Sequence, residues 1–268
     1  MIRHALDALA RIDPDTIAGA MPFAHAVVDE FLPAEVADAL AAEFDAAGPA
    51  WKSYHHVNEK KLVASDVATM GPTARSVVAM LHDPAFVTAL EAIMGVDGLR
   101  PDPELDGAGL QQTRAGGFLN VHLDHLSHAK RRTWSRQVNL LLFVNRDWDA
   151  AWGGALELWD PAVTRCMRAI APTFNRCVVF RTSERSFHGV VPVQCPADRT
   201  RRSLALYYYR DEGRPLALRP TRYVPRPGDG PLRRALIHAD RWALGVYSAL
   251  KRYTPLDDRL ISRLLRWF

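Results

Sequence analysis

Gly116-Gly117-Phe118-Leu119-Asn120-Val121-His122-Leu123-Asp124 is the stretch on which the reading of this chain turns. It is a short apolar run behind two glycines, and it carries a histidine and an aspartate one residue apart. On a strand, residues i and i+2 point to the same face, so an imidazole and a carboxylate converge there. That arrangement supplies two of the three donors of a metal site built from two histidines and one carboxylate, with a second histidine to come from elsewhere. The triplet is weak evidence alone: with 10 His and 21 Asp in 268 residues, chance yields about 0.8 His-x-Asp triplets. The chain holds a second copy, His238-Ala239-Asp240, but it lies among Leu232, Leu236, Ala239, Ala243, Val246 and Leu250, a helical period. On a helix, i and i+2 face nearly opposite ways, so that copy cannot chelate one ion.

The length, 268 residues, fits one large domain or one domain with extensions. An apolar fraction of 48% with 24% charged residues is ordinary for a globular chain that buries a core. Three cysteines, Cys166, Cys177 and Cys195, form no CxxC pair. They argue against a disulfide framework and against a cysteine zinc site, so a reducing cytoplasm is the expected compartment. The N-terminus has no secretory pattern, and no run of 18 apolar residues predicts a membrane span. The net charge of +4 is unevenly placed: residues 215–268 hold 11 Arg/Lys and 4 Asp/Glu, so the other 214 sum to −3. A nucleic-acid partner is therefore not expected, since only the tail is basic.

The first hundred residues read mostly helical. Pro33, Pro72 and Pro84 each open an apolar-periodic run, and Gly95 is placed as a C-cap. From about residue 108 the pattern changes to short β-branched or aromatic runs split by turn residues. These are Leu110–Thr113, Phe118–Leu123, Gln137–Val144, Ala155–Trp159, Cys177–Phe180, Val190–Val193 and Leu204–Tyr209, the spacing of a jelly-roll or barrel. Gly153-Gly154 reads as a turn, and Asn175-Arg176 as the turn before a strand. After Pro215 a proline- and arginine-rich linker leads to two basic helices at about 231–252 and 256–268. The expected organisation is a domain over 1–214, divided into a helical lead-in (1–107) and a β core (108–214), then an extension over 215–268.

Downstream of Asp124 a second histidine, His188, lies in Ser186-Phe187-His188-Gly189-Val190, and Arg201-Arg202-Ser203 leads into Leu-Ala-Leu-Tyr-Tyr-Tyr. If that is a strand, Arg201, Ser203, Ala205 and Tyr207 share a face and Arg202 points the other way. A fixed guanidinium beside a hydroxyl suits a carboxylate. HxD, a distal His and then RxS in this order resemble the iron(II)/2-oxoglutarate-dependent dioxygenases, in their prolyl 4-hydroxylase-like branch. The matching stretches are QQTRAGGFLNVHLD, RQVNLLLFVNRDWDAAWGGALELWD, APTFNRCVVFRTSERSFHGVVPV and RRSLALYYYR, covering about 108–210. FAHAVVDEFLPAEVADALAAEF resembles the family's helical lead-in more loosely.

The resemblance implies an α+β chain whose core is a double-stranded β-helix, a cupin-like jelly-roll, with N-terminal buttressing helices and a C-terminal helical extension. It implies His122, Asp124 and His188 as ligands of Fe(II). Arg201 would take the distal carboxylate of 2-oxoglutarate, with Ser203 as a second contact. Thr113 stands where the family often has tyrosine, and Arg202 is the fallback for Arg201 if the strand slips by one residue. The implied reaction uses O2 and 2-oxoglutarate to hydroxylate a C–H bond, releasing succinate and CO2, with ascorbate as an accessory reductant. The implied substrate is a prolyl residue or a small molecule, glycan or lipid. A cupin-like binding protein without turnover and a zinc hydrolase on the same ligands are the competing classes. His125, His128 and Trp134 either line the substrate mouth or are loop residues. His55, His56, Lys60 and Lys61 either cover the site or form a solvated loop. For the basic tail, 231–268, three roles are open: docking on the core, dimerisation or partner binding, and peripheral contact with the inner face of a membrane.

Overall fold

The computed structural model describes residues 1–44, 51–217 and 219–251. In chain order its elements are α1 (Ile2–Ala10), α2 (Pro14–Ala18), β1 (His25–Val28), α3 (Ala34–Glu43), β2 (Lys52–His56), β3 (Glu59–Ala64), α4 (Pro72–Leu81) and α5 (Pro84–Met94). Then follow β4 (Leu99–Pro101), β5 (Gly109–Thr113), β6 (Phe118–Leu123), β7 (Trp134–Phe143), β8 (Leu156–Trp159) and β9 (Cys166–Ile170). The series closes with β10 (Arg176–Arg181), β11 (His188–Val190), β12 (Arg201–Asp211), β13 (Arg222–Tyr223) and α6 (Pro231–Lys251).

All the strand pairs are antiparallel, in the order β1-β10-β7-β12-β5-β3-β6-β11-β8-β9, with β2 beside β3, β4 beside β12 and β13 beside β6. The sheet curls on itself into a double-stranded β-helix, with helices laid against one side. The alternation of β7 shows why. Leu140 and Leu142 join Cys177, Val179, Leu204 and Leu206 in the layer against the helices. Phe143 turns the other way and meets Leu156, Leu158, Ile170, Val178 and Phe180 inside the barrel. Tyr208, fully buried in the helix-side layer, donates from its hydroxyl to the Leu81 carbonyl (2.9 Å) and ties β12 to α4.

The helices at Pro33, Pro72 and Pro84 form as expected. Asp83 caps α5 by accepting from the Ala85 N–H (2.8 Å), and Gly95 ends it at φ 60°, where a side chain would be strained. Helix α4 borrows its cap: the Glu43 carboxylate accepts from the N–H groups of Thr73 (2.6 Å) and Ala74 (2.8 Å). Asn175, at φ 56°, makes the expected turn before β10, and its amide bonds both backbone groups of Leu32.

Three expectations need correction. The lead-in is not simply helical: β1 pairs with β10, and the hairpin β2–β3 pairs with β5 and β6, so residues before 108 complete the barrel. The strand placed at Val190–Val193 runs over His188–Val190, because β11 is gripped between β6 and β8. The segment after Pro215, expected as a linker, also contributes a strand, since its Arg222–Tyr223 joins β6. Of the two tail helices, α6 is present over 231–251; the segment 256–268 lies outside the described residues. Among the described residues, no single helix is long and apolar enough to cross a membrane.

Candidate metal centre and carboxylate pocket

His122, near the end of β6, stands directly across the ladder from His188 on β11. The ring centroids are 4.3 Å apart. Asp124 follows one residue beyond the strand end, with Oδ1 3.4 Å from His122 Nε2 and Oδ2 3.4 Å from His188 Nε2. The three donor atoms lie within 4.8 Å of one another, so a single ion can touch all of them.

The other ring nitrogens are already committed. His122 Nδ1 is 2.9 Å from the Asn120 carbonyl and His188 Nδ1 is 2.9 Å from the Ser186 carbonyl, so each ring donates there and leaves Nε2 facing Asp124. Burial, then the neighbouring His122, pushes His188 down to about 4. Burial raises the Asp124 carboxyl, but the Arg136 guanidinium and then His188 outweigh it and hold it well below the usual carboxylate range. An ionised carboxylate beside imidazoles whose Nε2 atoms are free of other partners is the donor set a divalent ion requires.

Two β7 residues missing from the sequence reading hold Asp124. Asn139 donates from Nδ2 to Asp124 Oδ2 (2.6 Å), and Arg136 Nη2 lies 3.3 Å from the same oxygen. Arg136 Nε donates to Asn139 Oδ1 (2.7 Å), and its guanidinium stacks 3.3 Å from the Tyr207 ring centroid. Their only signal in the sequence was a charge and an amide in the polar first half of a strand that ends in Leu-Leu-Leu-Phe.

The carboxylate-binding candidates lie on the adjoining strands. Arg201 opens β12 opposite Thr113 on β5, and it is only 4% exposed. Its Nε donates to the Gly154 carbonyl (2.6 Å), and its Cζ is 4.9 Å from the Phe143 ring centroid inside the barrel. Gly154 sits at φ 74°, and a Cβ there would meet Arg201 Cδ at 3.0 Å; the Gly153-Gly154 turn thus lets the backbone close on the guanidinium. Among the described residues no carboxylate pairs with Arg201, and burial alone lowers it to about 10. Ser203, two residues along and 1% exposed, has a buried Oγ with no hydrogen-bond partner. A buried cation lacking an anion and an orphaned hydroxyl on one strand face are chemically matched to a carboxylate. Arg202 leaves on the opposite face, away from Ser203, and donates to the Ala41 carbonyl at the end of α3 (3.2 Å).

A cavity of about 130 Å³ opens at the metal centre. Its lining includes His122, Asp124, His125 and Arg136, together with Tyr54, Glu59, Lys61, Val63, Leu119, Tyr207, Thr221 and Tyr223. Of the residues assigned to the mouth, His125 is there, and burial followed by the Arg136 charge pushes it down to about 3. His128 and Trp134 are corrected. His128 is 2% exposed, with Nε2 3.4 Å from Asp102 Oδ1, and packs on Trp134 and Tyr209 behind the cavity wall. The hairpin cluster divides: Lys61 turns into the cavity and pairs with Glu59 (3.0 Å), and His56 pairs with Glu59 from behind (3.0 Å). The linker supplies Tyr223, opposite His122 in the ladder with ring centroids 5.5 Å apart.

Residues 108–209 match the sequence profile of the 2OG-Fe(II) oxygenase superfamily. No curated protein sequence matches the chain. Among solved structures, a prolyl-4-hydroxylase from Pseudomonas putida is similar over 78% of this chain and 99% of its own, with 20% identity and a TM-score of 0.53. A prolyl 4-hydroxylase from Phytophthora capsici gives 19% identity and a TM-score of 0.55 over 78% of this chain and 65% of its own. A prolyl hydroxylase from Trichoplax adhaerens, in complex with a hypoxia inducible factor peptide fragment, gives 14% identity and a TM-score of 0.51 over 79% and 93%. At these identities the structural matches speak for the double-stranded β-helix.

Proposed function

We propose that the chain, whose residues 108–209 match the 2OG-Fe(II) oxygenase superfamily, is a dioxygenase that hydroxylates a C–H bond of a polar substrate. In this reading His122, Asp124 and His188 hold iron(II), and Arg201 takes the far carboxylate of 2-oxoglutarate with Ser203 and Thr113 beside it. The observation that carries it is the pairing of a converged His-Asp-His trio with a buried arginine that has no carboxylate of its own among the described residues. Iron and cosubstrate, once bound, supply the oxidising chemistry: O2 is consumed, 2-oxoglutarate leaves as succinate and CO2, and C–H becomes C–OH.

The chain's own contribution is positional. The Asn120 and Ser186 carbonyls hold the two imidazole rings with Nε2 free, and Asn139 with Arg136 holds the carboxylate ionised and aimed. Phe143, Leu158 and Phe180 keep the barrel interior dry around Arg201, which strengthens its attraction for an anion.

The cavity lining bears on the substrate. Val63 and Leu119 are its aliphatic members, against Lys61, Glu59, Arg136 and three tyrosines. Such a wall favours a hydroxyl-bearing or charged group, as on a small molecule, glycan or lipid headgroup, over the apolar ring of a prolyl residue. Cys166, Cys177 and Cys195 are all free thiols, which supports a reducing compartment for the reaction.

The test is succinate release from 2-oxoglutarate with iron(II), O2 and ascorbate, across a panel of glycan, lipid and peptide substrates. Iron-dependent succinate release that the His188→Ala variant lacks is the expected result. A protein that neither binds nor consumes 2-oxoglutarate would be a binding module, and turnover with zinc in its absence would be a hydrolase.

A further inference from the structure

Helix α6 is mounted with the wrong face outward. An amphipathic helix on a globular domain turns its apolar stripe to the core and its charges to water. Here the seating is largely polar. Arg233 Nη2 donates to Asn120 Oδ1 (3.2 Å), Asn58 donates to Asp240, and Asp240 lies 3.5 Å from His56 Nδ1. Among the described side chains of the helix, Ile237, fully buried, is the apolar one on that side. Leu232, Leu236 and Trp242 are 74%, 47% and 72% exposed, half of the large exposed hydrophobics among the described residues. Leu232, Ala235, Leu236 and Ala239 fall along one stripe at helical spacing, all exposed, and Trp242 flanks it.

The charge on this helix identifies what covers the stripe. Within the helix Arg233, Arg234, Arg241 and Lys251 stand against one acid, Asp240, which is spent inward on Asn58 and His56; Arg233 also pairs with Asp229 just ahead of the helix (3.2 Å). The sequence beyond the helix continues the theme, with Arg259, Arg263 and Arg266 interleaved with Leu260, Leu264 and Trp267. A second copy docking about a two-fold axis would bring like charges together. A nucleic acid would leave the two exposed leucines unused, even where a base stacked on the tryptophan. An apolar stripe carrying tryptophan, on a basic helix, suits the headgroup–acyl boundary of an anionic bilayer.

We propose that α6 is an interfacial helix that docks the protein on an anionic membrane surface through Leu232, Leu236 and Trp242. Ion pairing of Arg226 with Glu157 (2.7 Å) and the β13–β6 ladder tie the chain ahead of this helix to the barrel. Docking would therefore hold the cavity beside the lipid. The inference is independent of the chemistry at the metal centre, and a failure of either leaves the other standing.

The experiment is co-sedimentation of the full chain with phosphatidylcholine vesicles, with and without about a quarter phosphatidylglycerol, at low and at roughly 0.5 M salt. Binding to the anionic vesicles is expected, about tenfold weaker to neutral ones and weakened by salt. The Leu232→Ser/Leu236→Ser/Trp242→Ala variant should lose about tenfold in partitioning while melting like the parent, because all three side chains are exposed. Arg241→Glu/Lys251→Glu, which leaves the apolar stripe intact, should lose a similar factor. No sedimentation with either vesicle, or equal binding by parent and both variants, overturns the proposal. So does a dimer in light scattering that the triple variant dissolves, since the stripe would then be covered by a second copy.

Discussion

His122-Leu123-Asp124 and His238-Ala239-Asp240 have the same polar residues at the same spacing, one at the end of a strand and one inside a helix. In the first, both side chains turn to one point and meet a third donor from β11. In the second, His238 is exposed while Asp240 reaches back to Asn58 and His56. Backbone period, not residue type, makes one copy a chelate and the other a pin. The second copy still bears on the first: Asp240 contacts His56, His56 contacts Glu59, and Glu59 contacts Lys61 in the cavity wall.

The hardest break of the comparison is to exchange the damage between the two copies. Asp124→Ala should abolish iron binding measured by calorimetry and cut succinate release by more than about 100-fold. Loss of outer partners alone typically costs 10–100-fold, and a ligand counts for more. His238→Ala, on the exposed copy, should leave both readouts unchanged. Equal losses from the two substitutions would mean that the converged trio is not the metal centre.

Next in size is Arg201, proposed to hold the cosubstrate, against its neighbour. A charged hydrogen bond contributes about 1.5–3 kcal/mol, so Arg201→Ala should raise the KM for 2-oxoglutarate by roughly 10–100-fold. Arg202→Ala should leave that KM alone and lower the melting temperature, because Arg202 holds α3 through the Ala41 carbonyl. A reversed pattern would put the carboxylate on the other face of β12. Asn139→Ala tests the outer partner of Asp124, and a drop in iron affinity of about 10-fold is expected with little change in the KM for 2-oxoglutarate.

How far the chain announces this structure depends on which kind of signal each part carries. Strands β6, β7, β10 and β12 are legible because apolar residues mark both faces of a buried sheet, and helices α3, α4 and α5 because proline and glycine punctuate them. The hairpin β2–β3 is not: Lys-Ser-Tyr-His-His has no apolar alternation, and β2 is mostly exposed because it lies at the sheet edge. The trio and Arg201 stand out through order and spacing. Arg136 and Asn139 do not, since what they do arises only when β7 curls to face Asp124. His128 and Trp134 lie next to the site in sequence, but the turn after Asp124 carries them behind its wall.

The last effect concerns the pin itself, and it bears on stability and not on the chemistry; pH reads it. Burial would lower His56, but hydrogen bonds to Asp240 and Glu59 outweigh it and raise it to about 9. Glu59 is itself held down to about 2, with Lys61 and His56 overcoming burial, so it stays ionised across the range. A histidine whose folded pKa lies above its unfolded value of 6.5 binds its proton more tightly in the native state. Its contribution is therefore complete below pH 6.5 and is lost as pH rises through about 9. A shift of this size corresponds to roughly 3 kcal/mol between the limits. Denaturant melts of the full chain should accordingly lose stability between these two pH values. Asp240→Asn removes the first of the two partners that raise His56, so it should flatten that slope and lower the midpoint at neutral pH while leaving iron affinity intact. If the variant kept the full slope, Glu59 alone would be holding His56, and α6 would be seated by Arg233 and Ile237 without its acid.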